Sequence, residues 1–123
     1  MYPMGKKVMG RLMYDPDGYM SVQHMMANRP RFASDDWLKG KPEEIKAAFE
    51  SYRAYYGTWD VDEQKGIVTH HIEAGSFPNW AGTDFVRSFE ITGNRLTLKT
   101  TPQIMNGKTV TIYLFWEKLA KAE

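Results

Sequence analysis

The side chains best suited to chemistry in this sequence are its three histidines and an arginine set among aromatics. His70 and His71 are adjacent. In an extended chain neighbouring side chains point to opposite faces, so the two cannot ligate one metal together. One of them could join His24 and Glu73 across neighbouring strands, as an acid–base or metal site. The blander reading is one histidine hydrogen-bonded inside a fold and one solvated outside it, and no metal-ligand spacing argues for more. Arg87 shares a face with Phe85, Phe89 and Ile91 in DFVRSFEI. A guanidinium there can stack on a ring or pair with a carboxylate, and it is costly to bury unpaired. It reads as an anchor for an acidic or carbonyl-bearing ligand, or as a structural residue bonded to loop carbonyls. Phe77-Pro78-Asn79-Trp80 opens a bulky loop that reads as a lid or as a packed connection. Arg29 and Arg31 with Phe32 are too few for a nucleic-acid site, and ion pairs with Asp35 or Asp36 are the safer expectation. No nucleophile elbow, phosphate loop, HExxH or dinucleotide fingerprint is present, and no catalytic residue, metal or cofactor is assigned.

These side chains need a scaffold, and the chain punctuates itself like a set of hairpins. Asp15-Pro16-Asp17-Gly18, Gly93-Asn94 and Asn106-Gly107 are turn sequences, and a longer loop spans Asp62 to Gly66. Between the turns, period-two alternation predicts roughly seven strands, at about 7–14, 18–26, 56–61, 66–73, 84–92, 95–101 and 109–118. Met20, Val22 and His24 share one face. Val110, Ile112, Leu114 and Trp116 share another, opposite Thr111, Tyr113 and Phe115. One stretch differs: Ile45, Ala48, Phe49, Tyr52 and Tyr56 fall at helical spacing behind Pro42, Glu43 and Glu44. This predicts an amphipathic helix near 42–56, laid across a barrel mouth.

Composition bounds the rest. At 123 residues the chain reads as a single domain over 1–123, 42% hydrophobic and 25% charged. A net charge of +1 gives no electrostatic case for nucleic acid or an anionic membrane. Without cysteine, disulfides and thiolate chemistry are excluded. With no signal peptide and no apolar run of membrane-spanning length, a cytoplasmic location is expected. Several antiparallel strands around an aromatic-rich interior favour a barrel, because closure removes exposed edges.

The runs YDPDGYMSVQHM, NRPRFAS, YYGTWDVDE, GIVTHHIE, FPNWAGTDFVRSFEITGNRLTLKT and TVTIYLFWEK resemble the bacterial lipocalin-like domain family, over about Gly10 to Leu119. The FPNWxGTxxxRxFE pattern is the most specific part. The resemblance implies a mainly β, antiparallel calycin-type barrel with a possible ligand cavity, and it brings no general activity. Members usually begin with a further strand carrying a Gly-x-Trp motif, which this sequence lacks. Gly57-Thr58-Trp59 looks like that motif but falls after the helix. The missing strand implies a gap or an unpaired edge, and hence self-association, for example as a homodimer.

The resulting expectation is a protein that binds a hydrophobic or amphipathic small molecule. Met20, Val22, His24, Tyr52, His70, Trp80, Phe85, Arg87, Phe89 and Tyr113 are the expected lining. A one-residue slip in strand facing would exchange this set. Two alternatives stay open. One is a small isomerase or cyclase polarising a carbonyl with His or Arg, whose mark would be a cavity histidine oriented by a carboxylate. The other is a structural or interaction module with a filled core.

Overall fold

A computed structural model describes residues 7–121. Nine strands and one helix follow in the order β1 (Val8–Tyr14), β2 (Tyr19–Met26), α1 (Pro42–Glu50), β3 (Tyr52–Asp62), β4 (Ile67–Gly75), β5 (Asp84–Thr92), β6 (Arg95–Thr100), β7 (Gln103–Met105), β8 (Lys108–Val110) and β9 (Tyr113–Glu117). Seven form one antiparallel sheet, ordered β1-β2-β3-β4-β5-β6-β9, while β7 and β8 pair separately as a small hairpin. The sheet curls into a nearly closed barrel. Its buried residues alternate on one side: Met20, Val22 and His24 on β2, Val68, His70 and Ile72 on β4, Arg87 on β5, and Leu98 and Thr100 on β6.

The turns do what their residues require. Gly18, Gly93 and Gly107 all have positive φ, and Asn106 joins Gly107 there with φ 51. The Asp15–Gly18 turn is locked by the Gly18 N–H donating to the Asp15 carbonyl and by the Asp17 N–H donating to Asp15 Oδ1, at 2.6 Å. Gly57 is compulsory for another reason. The β3–β4 register shifts between Tyr56 and Gly57, and a Cβ at 57 would lie 1.9 Å from the His71 carbonyl oxygen.

The helix forms but ends at Glu50 instead of reaching 56. Its start is fixed by Pro42 and by Glu44, which accepts from the Lys41 and Ala33 N–H groups at 2.9 Å each. Tyr52 and Tyr56 keep helical spacing but belong to β3, which pairs with β2 on one side and β4 on the other. A ladder on both edges outweighs a local periodicity of five residues. The strand expected at 109–118 is likewise divided, between β8 and β9. Arg29 makes no ion pair with Asp35 or Asp36; its guanidinium donates to the Ala48 carbonyl and Ser51 Oγ at 3.0 Å and lies over the Tyr52 ring.

β1 and β9 end the sheet, and they are not paired with each other. In a seven-membered antiparallel series the first and last strands run in the same direction. One further strand, antiparallel to both, would complete the ring. The seam between them is a broad cleft flanked by exposed Met9, Met13, Tyr113 and Phe115. No described helix is long and apolar enough to cross a membrane.

Candidate functional site

The curl of the sheet encloses a cavity of about 340 Å³. Strand pairing explains who faces it. Val22 and His24 on β2 stand opposite Tyr55 and Arg53 on β3, and all four line the wall. On the far side His70 pairs with Phe85, and Arg87 follows two residues on, facing the same way. Trp80, from the short turn Pro78–Trp80, packs edge-on to both Tyr55 and Phe85. Leu98, Leu114 and Trp116 complete the wall from β6 and β9.

At the centre, His70 is 1% exposed and held from both sides. Its Nε2 is 2.6 Å from the Tyr14 hydroxyl and its Nδ1 is 2.7 Å from the Tyr55 hydroxyl. Burial, with Arg87 nearby, pushes the imidazole down to about 4, so it is neutral at physiological pH. A neutral imidazole offers one N–H and one lone pair. One tyrosine therefore donates to it and the other accepts from it, and the accepting tyrosine keeps its own O–H free for a third group. Burial raises both hydroxyls, Tyr55 up to about 12 and Tyr14 further, so both stay protonated. His24 is also pushed down to about 4, by burial and then by Arg53 and Arg87.

Arg87 is 4% exposed. Its guanidinium lies 4.5 Å from the centre of the Phe85 ring, and its Nε has no hydrogen-bond partner among the described residues. His24 Nδ1 and Trp116 Nε1 are unpartnered in the same way. Among the described residues Arg53 reaches only a thioether, Met105 Sδ at 3.6 Å. Burial lowers both arginines somewhat, and a guanidinium still keeps its proton. With neutral histidines and protonated tyrosines, the interior charge is that of two cations.

Six of the ten residues expected at the lining border the cavity: Val22, His24, His70, Trp80, Phe85 and Arg87. Met20 is buried on the same side of β2 but packs into the core beside it, and half-buried Phe89 lies further along β5, opposite Leu98. Tyr52 and Tyr113 do not face the interior. Tyr52 turns outward, its hydroxyl donating to Gln23 Oε1 at 3.2 Å, because the helix stops before it and the β3 alternation puts Arg53 and Tyr55 inside. Tyr113 is 54% exposed beside Lys99, because Leu114 and Trp116 take the inner face of β9. Arg53, Tyr55 and Trp116 border the cavity, and Tyr14 bonds His70, without being among the residues expected from sequence. The signal for the β3 pair was available as alternation opposite Met20, Val22 and His24, once Tyr52 is placed on a strand.

The carboxylate-flanked histidine is on the other face. His71 sits between Asp60 on β3, at 2.6 Å, and Asp84 on β5, at 2.8 Å. It lies outside the cavity, so the orienting carboxylate that would mark a catalytic histidine is spent on the surface. No cluster of three or more metal-ligating side chains occurs among the described residues.

A family model described as a lipocalin-like domain matches residues 1–119. A 4'-hydroxy-3'-methoxypropiophenone carrier protein from Aspergillus oryzae is 33% identical over 109 residues, which cover 83% of this chain and 98% of that protein.

Proposed function

This chain belongs to the lipocalin-like domain family, and from that premise we propose that it carries a small amphipathic aromatic molecule in its barrel cavity. The coarser role, binding or carriage of a small molecule, is what the family and the relative named as a carrier support together. The aromatic character of the ligand rests on the wall. Trp80, Phe85 and Tyr55 pack edge-to-face on one another at 5.2–5.9 Å and so form one aromatic wall, against which a flat ring can lie. The observation that carries the proposal is the buried Arg87 beside that aromatic wall, a polar group able to fix the ligand's orientation while the rings desolvate it. A cavity of about 340 Å³ is at the small end of ligand sites and suits a molecule of one or two rings. The relative's named compound, a substituted phenyl ketone, is of that size class.

The test is calorimetric titration with a panel of one-ring aryl ketones and phenols, backed by quenching of tryptophan fluorescence, since Trp80 and Trp116 border the cavity. Saturable binding at one molecule per chain is expected. A panel without any saturating member refutes the reading. We further propose that the unpaired edges of β1 and β9 pair with a second copy. Sedimentation velocity showing only monomer at all accessible concentrations would overturn that part.

A further inference from the structure

We propose that the cavity selects aromatic molecules bearing an acidic oxygen and binds them as their anions. This rests on the carrier reading above and specifies the charge of what is carried.

The argument begins with an imbalance. Arg53 and Arg87 both line the cavity, and the only carboxylate among the described lining residues is Asp84. Asp84 is exposed at the rim and its Oδ1 is bonded to His71 on the outer face. The groups within reach of Arg87 are the Tyr55 hydroxyl, which accepts a hydrogen bond from it, and Tyr14, His70 and His24, and each is uncharged at neutral pH. The protein therefore supplies no counter-charge to its own buried guanidinium. An unpaired buried cation is strongly unfavourable, and a partner anion removes most of that penalty.

The second observation concerns hydrogen bonding and is independent of charge. Arg87 Nε and Trp116 Nε1 are donors whatever their surroundings, and both are buried without an acceptor. His24, edge-on to Trp116 at 6.4 Å, adds a third unpartnered nitrogen. Buried polar atoms are normally satisfied, so unpartnered nitrogens on β2, β5 and β9 around one cavity mark an acceptor that arrives from outside. A neutral ketone oxygen would accept a bond and leave the cation unpaired. A phenolate or carboxylate oxygen does both, and charge-assisted bonds are roughly twice as strong as neutral ones. The Phe85 ring under the guanidinium supplies the apolar contact for the ring that carries the anion.

A matched pair of probes tests this with the full-length protein: 4-nitrophenol, whose anion is yellow, and 4-nitroanisole, its neutral methyl ether of nearly the same shape. The expected result is that 4-nitrophenol binds at least about tenfold more tightly, and turns yellow on binding at a pH about one unit below its free pKa. In Arg87→Met the colour change is lost and the preference for 4-nitrophenol over 4-nitroanisole falls towards unity, with a cooperative urea-unfolding transition showing that the variant is folded. Equal affinity for the two probes in the wild-type protein, with no colour change, overturns the anion proposal and leaves the carrier reading standing. If neither probe saturates the protein, both fall. The wild-type comparison decides the matter even if Arg87→Met fails to fold.

Discussion

His70 and His71 are neighbours in the chain and opposites in behaviour. His70 faces the cavity, 1% exposed, between two tyrosine hydroxyls, and its pKa falls to about 4. The His71 side chain is 41% exposed, lies between two aspartates, and its pKa rises, chiefly through the hydrogen bonds to Asp60 and Asp84. One step of the pleat separates a neutral group that organises an interior from a group whose protonated form is favoured and that links three strands on the outside. Residue type alone says nothing about which role applies. The face of the sheet decides it.

Acid should widen this contrast most. Between the unfolded value of 6.5 and the folded value of about 4, the unfolded chain takes up protons that native His24 and His70 refuse. Stability therefore falls as pH drops through that window, by up to about 3 kcal/mol for each buried histidine. His71 has the opposite sign: its contribution is present below 6.5 and is lost as pH rises through its raised pKa. Being exposed, it offsets little of the loss. Denaturant midpoints measured from pH 7 to pH 4 check this, and a flat profile would contradict the burial of both interior imidazoles.

Removing the interior histidine comes next. His70→Ala leaves two buried tyrosine hydroxyls without their partner, and a loss of about 2–4 kcal/mol is expected in urea unfolding. A variant as stable as wild type would mean that Tyr14 and Tyr55 satisfy each other. A smaller effect, of opposite sign, is expected at the wall. Arg87→Met should unfold at the same or higher denaturant concentration, with a gain of at most about 2 kcal/mol, because an unpaired buried charge disappears. Marked destabilisation would assign Arg87 a structural task instead. The smallest change is expected outside: His71→Ala should cost less than about 1 kcal/mol, as exposed ion pairs do, and that cost should shrink in high salt.

Much of this layout was legible in the sequence because turns and alternation are local signals. Asp15–Gly18, Gly93-Asn94 and Asn106-Gly107 each need backbone angles that few residues adopt, so their hairpins could be placed without knowing the fold. Period two groups Val22 with His24 and Phe85 with Arg87 on common faces, and the strand pairing then turns those faces inward. Tyr52 was misplaced because its spacing from Ile45 and Phe49 is equally good on a helix, and only pairing with both β2 and β4 settles it. Tyr113 went astray because both faces of β9 are apolar, so alternation could not say which was inside. The contacts between His70 and its two tyrosines join residues 56 and 15 positions apart, across β1, β3 and β4. No local pattern encodes such a meeting.

The unjoined edges of β1 and β9 have one more consequence. In a closed barrel the strand number and stagger fix the bore. Here the ring is split along one seam, and nothing in the backbone ladder sets how far its lips stand apart. Leu12, His24, Arg53, Leu114 and Trp116 border both the cavity and that seam. His24 on β2 and Trp116 on β9 stand edge-on at 6.4 Å, so the side chains bordering the split are where the girth of the chamber can be re-gauged without altering a strand pairing.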